Sequence, residues 1–284
     1  MTANRFALFP ELLAQRVAWC TVSANHLTTV SPATDMLLFG AAFLSGTLNS
    51  VAGGGGFISF PSLLFAGIAP IPANATSTAA LWPGTVASSF AYRKEIDHET
   101  RKILLPLVCT SFLGALAGAY ILLHTPASTF VKLIPWLMLI ATVLFTFSDR
   151  ITSWIQFRTA GEGKSPFVVI AGVVMQLVIA VYVGYFGAGA GIPILALLAV
   201  MGVKNIHAMN GMKTLLVSVA NAVALGTFVW AKIVVWPQAL VMIVGAFVGG
   251  YGGAHLAQRM NPLYVRRTVI LVGLTMSAYF FVRP

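Results

Sequence analysis

Apolar residues fall in long runs cut by short polar or glycine-rich interruptions, a pattern of buried or membrane helices. Met36 to Val51 reads as an apolar helix running into Gly53 to Gly56, and Phe57 to Ala69 as a shorter one that Pro70 and Pro72 end. Thirteen helical residues cover roughly 20 Å, short of a hydrocarbon core of ~30 Å. The pattern therefore predicts a half-helix or a re-entrant hairpin. Ala73 to Tyr92 is long enough to cross, but its first turns carry Asn74, Thr76, Ser77 and Thr78, which suggests a hydrated cavity beside the glycine break. Arg93 to Lys102 is the most charged stretch and reads as an aqueous loop. Ile103 to Leu123 and Thr129 to Phe147 are ordinary spans joined by the turn His124 to Ser128, and Ser148 to Pro166 reads as a linker.

The same order then returns: Phe167 to Phe186, a Gly/Ala break at Gly187 to Gly191, Ile192 to Val203, Asn205 to Trp230, Pro237 to Ala257 and Arg267 to Phe281. Gly54 and Gly189, Gly67 and Gly202, and Gly114 and Gly249 are each separated by 135 positions, as are Gly118 and Gly253. One match would be weak in a chain this rich in glycine; several in register point to an internal duplication. Glycine weakens a helix and frees the backbone, so both breaks should interrupt helices at membrane depth, where irregular backbone is tolerated only inside protein or along a cavity. Residues 1–34 form an N-terminal segment, read as an interfacial helix rather than a span because Pro10, Glu11, Gln15 and Arg16 interrupt it; cleavage as a signal peptide is a weaker alternative. Residues 35–147 and 167–284 are the two repeats, with 148–166 between them.

Composition agrees: 58% of the 284 residues are hydrophobic and 8% charged, against about a quarter charged in soluble domains. The expected class is an all-α polytopic membrane protein. A net charge of +10 would suggest nucleic acid in a soluble chain, but here Lys and Arg fall mostly in loops between apolar runs. Loops 93–102 and 148–166 are basic, whereas turn 124–128 has no Lys or Arg. In the second half the pattern inverts: the counterpart of the bare turn, Gln258 to Arg267, carries Arg259, Arg266 and Arg267, and the counterpart of the basic loop keeps only Lys232. The positive-inside rule then predicts two inverted repeats of about five helical segments, with the glycine breaks meeting at mid-membrane. Cys20 and Cys109 are isolated and no histidines cluster, so no disulfide, metal site or cofactor is expected.

A helix that begins at a break presents N–H groups without intrahelical partners at the positive end of its dipole. Gly54, Gly55, Gly56 and Phe57 in the first half, and Gly189, Ala190, Gly191 and Ile192 in the second, are therefore candidates to hold an anion. The plainer alternative is that the glycines only permit close helix packing. Asn74, Thr76, Ser77, Thr78, Asn210, Lys213 and Thr214 would supply side chains at the same level, with Asn49 and Tyr185 just before the breaks. Lys213 falls 135 positions after Thr78, and a lysine inside a membrane segment needs an anion, or else snorkels to the lipid phosphates. Gly114, Gly118, Gly249 and Gly253 read as close helix contacts, and Trp82 as a packing residue. All seven acidic residues lie at segment ends, in loops or in the N-terminal stretch, which leaves no buried carboxylate for a proton relay.

The stretch GGGGFISFPSLLFAGIAPIPANATSTAA, leading through a long helix to Ile96-Asp97-His98, resembles the TauE/SafE sulfite exporter family, also called the toluenesulfonate uptake permease family. GAGAGIPILALLAVMGVKNIHAMNGMKT is similar to that family's second repeat, and the resemblance spans residues 35 to 281. It implies a transporter of sulfite, sulfoacetate or other organosulfonates, multi-pass in the bacterial inner membrane, with Gly53 to Gly56 and Gly187, Gly189 and Gly191 as the breaks. The expected partners are a small anionic substrate and membrane lipid, with no nucleic acid; a homodimer is left open. An anion channel, a carrier of non-sulfur carboxylates and a lipid-interacting scaffold are the competitors. An intramembrane enzyme is disfavoured because no His-Glu-x-x-His, Gly-x-Ser-x-Gly or buried carboxylate pair occurs.

Overall fold

The computed structural model describes residues 31–52, 54–92, 98–159, 166–203, 205–257 and 262–282. Gly53, the loop 93–97, residues 160–165 and 258–261, and residues 1–30 of the expected N-terminal segment lie outside the described residues. Two units are distinguished, residues 1–37 and 38–284. Of the first, residues 31–37 open a helix at Pro32, where the Thr34 N–H donates to Ser31 O at 2.8 Å.

The described residues form ten helices and no strand. They are α1 (Pro32–Ala52), α2 (Gly56–Phe65), α3 (Pro70–Ala91), α4 (His98–His124) and α5 (Ala127–Thr159), then α6 (Pro166–Tyr185), α7 (Gly191–Val200), α8 (Ile206–Trp230), α9 (Trp236–Ala257) and α10 (Pro262–Val282). Four stretches, Ile103–His124, Ala127–Leu144, Phe167–Tyr185 and His207–Trp230, are long and apolar enough to cross a membrane. Both α2 and α7 have 10 residues, about 15 Å, half of what a crossing needs.

Helix ends differ from the sequence reading where proline is concerned. Pro70 does not merely stop the preceding helix; it opens α3 at its first position, where the missing N–H costs nothing and the fixed φ suits a helix. Pro262 likewise starts α10, so Arg266 and Arg267 belong to a helix rather than to a loop. His98 to Lys102, expected in the aqueous loop, are the first turn of α4, and α5 continues through Thr159 into the expected linker. The short helices end alike: Gly67 and Gly202 take left-handed φ of 83° and 81°, and the N–H groups of Ile68 and Val203 donate back to Leu63 O and Leu198 O.

The bounds of α2 and α7 are separated by 135 positions at both ends, and the five helices of each set follow the same order. Packing between the sets is reciprocal. The fourth helix of each, α4 or α9, lies on the first helix of the other, α6 or α1, and on its third, α8 or α3. The fifth, α5 or α10, lies on the other's second, α7 or α2, and α3 packs on α8. Glycines permit the closest approaches. A Cβ on Gly114 would lie 2.6 Å from Leu177 O, and one on Gly118 or Gly249 would overlap Val181 O or Phe43 O. The spacing of Gly114 and Gly118 thus marks helix contact, as read from the sequence.

Candidate functional site

Both glycine stretches interrupt the helical path, in different ways. The α2 N-terminus follows Gly55 (φ −56°, ψ −35°) and the α7 N-terminus follows Ala190 (φ −61°, ψ −23°), neither capped by a side chain. Before α7 the chain turns at Gly187 and Gly189, whose φ values of 77° and 71° are cheap only for glycine. Ala188 and Ala190 alternate with them at ordinary φ, which is why alanine is accepted there. The breaks abut: a Cβ on Gly56 would stand 3.2 Å from Ala188 Cβ, and one on Gly189 would stand 3.4 Å from the Phe57 ring.

Where they meet is a cavity of about 70 Å³. Gly56 from the first break and Gly187, Ala188, Ala190 and Gly191 from the second form part of its wall. Helix α3 contributes Ser77, Thr78, Leu81, Thr85 and Ser88; α8 contributes Lys213, Thr214, Val217 and Asn221; Asn49 and Phe186 complete the lining. Among the described residues Lys213 is the sole charged side chain in that lining. Its stem runs over the second break, since a Cβ on Gly191 would lie 3.2 Å from Lys213 Cδ. Its Nζ donates to Asn210 Oδ1 at 2.9 Å. An ammonium has three N–H donors, and a single neutral amide leaves most of its demand for an anion in the cavity.

Of the residues singled out by sequence, Asn49, Gly56, Ser77, Thr78, Ala190, Gly191, Lys213 and Thr214 come together around this space. Gly54, Gly55, Phe57, Gly189 and Ile192 are not part of its lining. The N–H groups of Phe57 and Ile192, expected to face an anion, donate within their own first turns to Gly54 O (3.1 Å) and Gly189 O (3.4 Å). Asn210 acts on Lys213 rather than lining the cavity. Asn74, Thr76 and Tyr185 tie neighbouring segments together at the N-terminal end of α3. There Asn74 Nδ2 donates to Tyr185 O (3.1 Å), the Val235 N–H donates to Thr76 Oγ1 (3.0 Å), and Tyr185 OH donates to Thr125 Oγ1 (3.4 Å). Sequence reasoning missed Thr85, Ser88 and Asn221. The spacing of Thr78, Leu81, Thr85 and Ser88, and of Lys213, Val217 and Asn221, by three or four residues was the signal for one helix face. Among the described residues no group of His, Cys, Asp or Glu could hold a metal ion.

Apolar helices, two of them half-length and meeting at a polar cavity with one lysine, define a membrane transporter with interrupted helices. The chain belongs to the TauE/SafE family: the family model described as "Sulfite exporter TauE/SafE" matches residues 38–280. The probable membrane transporter protein YfcA of Escherichia coli (strain K12) is 28% identical over 257 residues, covering 89% of this chain and 92% of that protein. The probable membrane transporter protein ORF9 of a Sinorhizobium species is 27% identical over 248 residues, 87% of this chain and 92% of its own length. A probable membrane transporter protein of Haemophilus influenzae is 24% identical over 243 residues, 85% of this chain and 92% of that protein. No solved structure matches the chain.

Proposed function

We propose that the protein carries a small sulfur-containing anion, such as sulfite, sulfoacetate or another organosulfonate, across the bacterial inner membrane by alternating access. The carrying observation is that the ends of both interrupted helices and Lys213 border one cavity. Helix N-termini favour negative charge and the lysine adds a full positive one, while the serine and threonine hydroxyls can donate to oxyanion oxygens. The family's description supplies the sulfur chemistry. The hydrogen bonds that tie the N-terminal end of α3 to Tyr185 and Val235 favour a carrier over a channel, since a channel would need a path through that end.

The repeats are proposed to be inverted. The N–H of Val235, just past the C-terminal end of α8, donates to Thr76, and Trp82 Nε1 donates to Ser218 O within α8 (3.1 Å), so the residue number along α8 falls as that on α3 rises. Repeats whose third helices pack antiparallel across a two-fold are related by an axis perpendicular to those helices, in the membrane plane.

The test is the thermal midpoint of the purified protein against sulfite, sulfoacetate, taurine, thiosulfate, sulfate, acetate and chloride. A ligand at 100 times its Kd stabilises the folded state by about 2.7 kcal/mol. A sulfur oxyanion or sulfonate should raise the midpoint of the native protein, and Lys213→Met, which keeps the stem over Gly191, should lose most of that rise. An equal rise in the variant removes Lys213 from the site; a rise with acetate alone moves the substrate to the carboxylates.

A further inference from the structure

Phe186 lies next to Tyr185, whose carbonyl accepts from Asn74 at the N-terminal end of α3. It forms part of the cavity wall and is 4% exposed. Its ring packs edge-on against Phe60, with centroids 5.3 Å apart and planes at 84°, and lies 6.5 Å from Phe130 and 6.4 Å from Tyr182. Tyr185 extends the cluster at 5.7 Å from Phe130 and ties it to the α4–α5 turn through Thr125. Phe60 and Phe130 are 1% and 0% exposed. In the other direction the cavity follows α3 from Ser77 to Ser88, about 16 Å at helical rise, towards the end of α3 that precedes residues 93–97.

The repeat shows that the two ends are unequal. Positions 135 away from Phe60, Phe130, Tyr182, Tyr185 and Phe186 hold Leu195, Val265, Thr47, Ser50 and Val51, with no aromatic among them. Conversely, Thr85 and Ser88, polar on the open route, correspond to Ala220 and Val223. A two-fold carrier with equivalent routes would have matched residues at both.

We infer that Phe186, backed by Phe60 and Phe130, is the gate residue at one end of the transport path, that the other end has no aromatic counterpart, and that the carrier therefore rests open towards the C-terminal end of α3. The inference rests on the proposed alternating access, which requires each end to close in turn. Edge-on aromatic pairs add attraction beyond the area they bury, so the end closed by them is the harder to open. The positions 135 away carry leucine, valine, serine and threonine, which have no ring with which to make such pairs, and the population shifts towards opening there. An apolar constriction also keeps water and small ions from leaking past an empty site.

The experiment uses the full chain with Cys20→Ser, Cys109→Ser and Thr78→Cys, in right-side-out and inside-out membrane vesicles, treated with a charged, membrane-impermeant methanethiosulfonate. The cysteine should react at least tenfold faster from the face bearing residues 93–97. In Phe186→Val, which installs the residue found 135 positions earlier, the slow face should gain at least tenfold. Phe60→Leu, installing the equivalent of Leu195, carries the same expectation if Phe186→Val does not reach the membrane, and the sidedness of the parent decides if neither does. Equal rates from both faces in the parent, or an unchanged slow face in either variant, overturns the gate. Protection of the cysteine by sulfoacetate is scored separately: its absence counts against the anion site and leaves the sidedness result standing.

Discussion

Lys232 is the one described residue other than glycine with positive φ, at 58°. It occupies the position after the C-cap of α8, where its N–H donates to Val229 O (3.0 Å) and that of Ile233 to Phe228 O (3.2 Å). Gly67 and Gly202 fill the same place after α2 and α7, so the turn is common to three helices and only here is it closed by a side-chain-bearing residue. A left-handed conformation costs a non-glycine residue about 1–2 kcal/mol, while glycine's extra freedom when unfolded gives back about 0.5–1 kcal/mol. Lys232→Gly should therefore stabilise by about 0.5–1 kcal/mol and raise the thermal midpoint by about 2 °C, whereas Lys232→Ala should give no rise. A fall in Lys232→Gly would mean that the exposed lysine side chain holds something worth more than the relieved strain. At this scale the sequence was informative about identity and weaker about direction. The 135-residue offset gave Lys213 the position in the second half that Thr78 has in the first, and both line the cavity. The bond from the ammonium to Asn210 joins positions three apart on one helix, a pairing that spacing encodes, whereas the path of the stem over Gly191 is a tertiary contact that spacing does not encode.

Among the helices, the close crossings rest on missing side chains. Gly249 meets α1 and Gly118 meets α6 so tightly that a methyl group would overlap a backbone carbonyl, and a carbonyl inside a helix cannot swing aside as a side chain can. Gly249→Ala and Gly118→Ala should each destabilise by about 1–3 kcal/mol through overpacking. Gly226, in α8 with nothing within 4 Å of its would-be Cβ, is the control: Gly226→Ala should gain about 0.5–1 kcal/mol from helix propensity. Thermal midpoints of the three variants check the set, and equal losses at Gly226 and Gly249 would show that the crossings yield to an added methyl group. The small-residue spacing was legible as helix contact, but the partner was not. Gly114, Gly118 and Gly249 each face the other half of the chain, and periodicity reports a face without saying what covers it. Helix starts were misjudged for a related reason: Pro70 reads equally well as a stop for one helix or as the first residue of the next, and the choice is made by how the following helix packs.

For the whole molecule, the repeat predicts which turns share a face. Thr125, in the turn between α4 and α5, and Val235, in the turn between α8 and α9, both reach the same end of α3, the first through Tyr185 and Asn74 and the second through Thr76. These turns are not equivalent in the repeat: one lies between the fourth and fifth helices of its set and the other between the third and fourth. Parallel repeats would put equivalent turns on one face; inverted repeats put these two together and send their equivalents to the opposite face. With Cys20 and Cys109 replaced by serine, single cysteines at the exposed Ser128 and Lys232 should be labelled by an impermeant maleimide from one face of the membrane. Cysteines at Glu95 and Gln258 should be labelled from the other. The positive-inside rule predicts that second face to be the cytoplasmic one, because Arg93, Lys94, Arg101, Lys102 and Arg259 lie near those positions in the sequence. Labelling of Ser128→Cys and Gln258→Cys from the same face would reject the inversion. The cavity would then lack a symmetry-related second route, and exposure of Lys213 to both sides would need a motion other than the rocking of two equivalent halves.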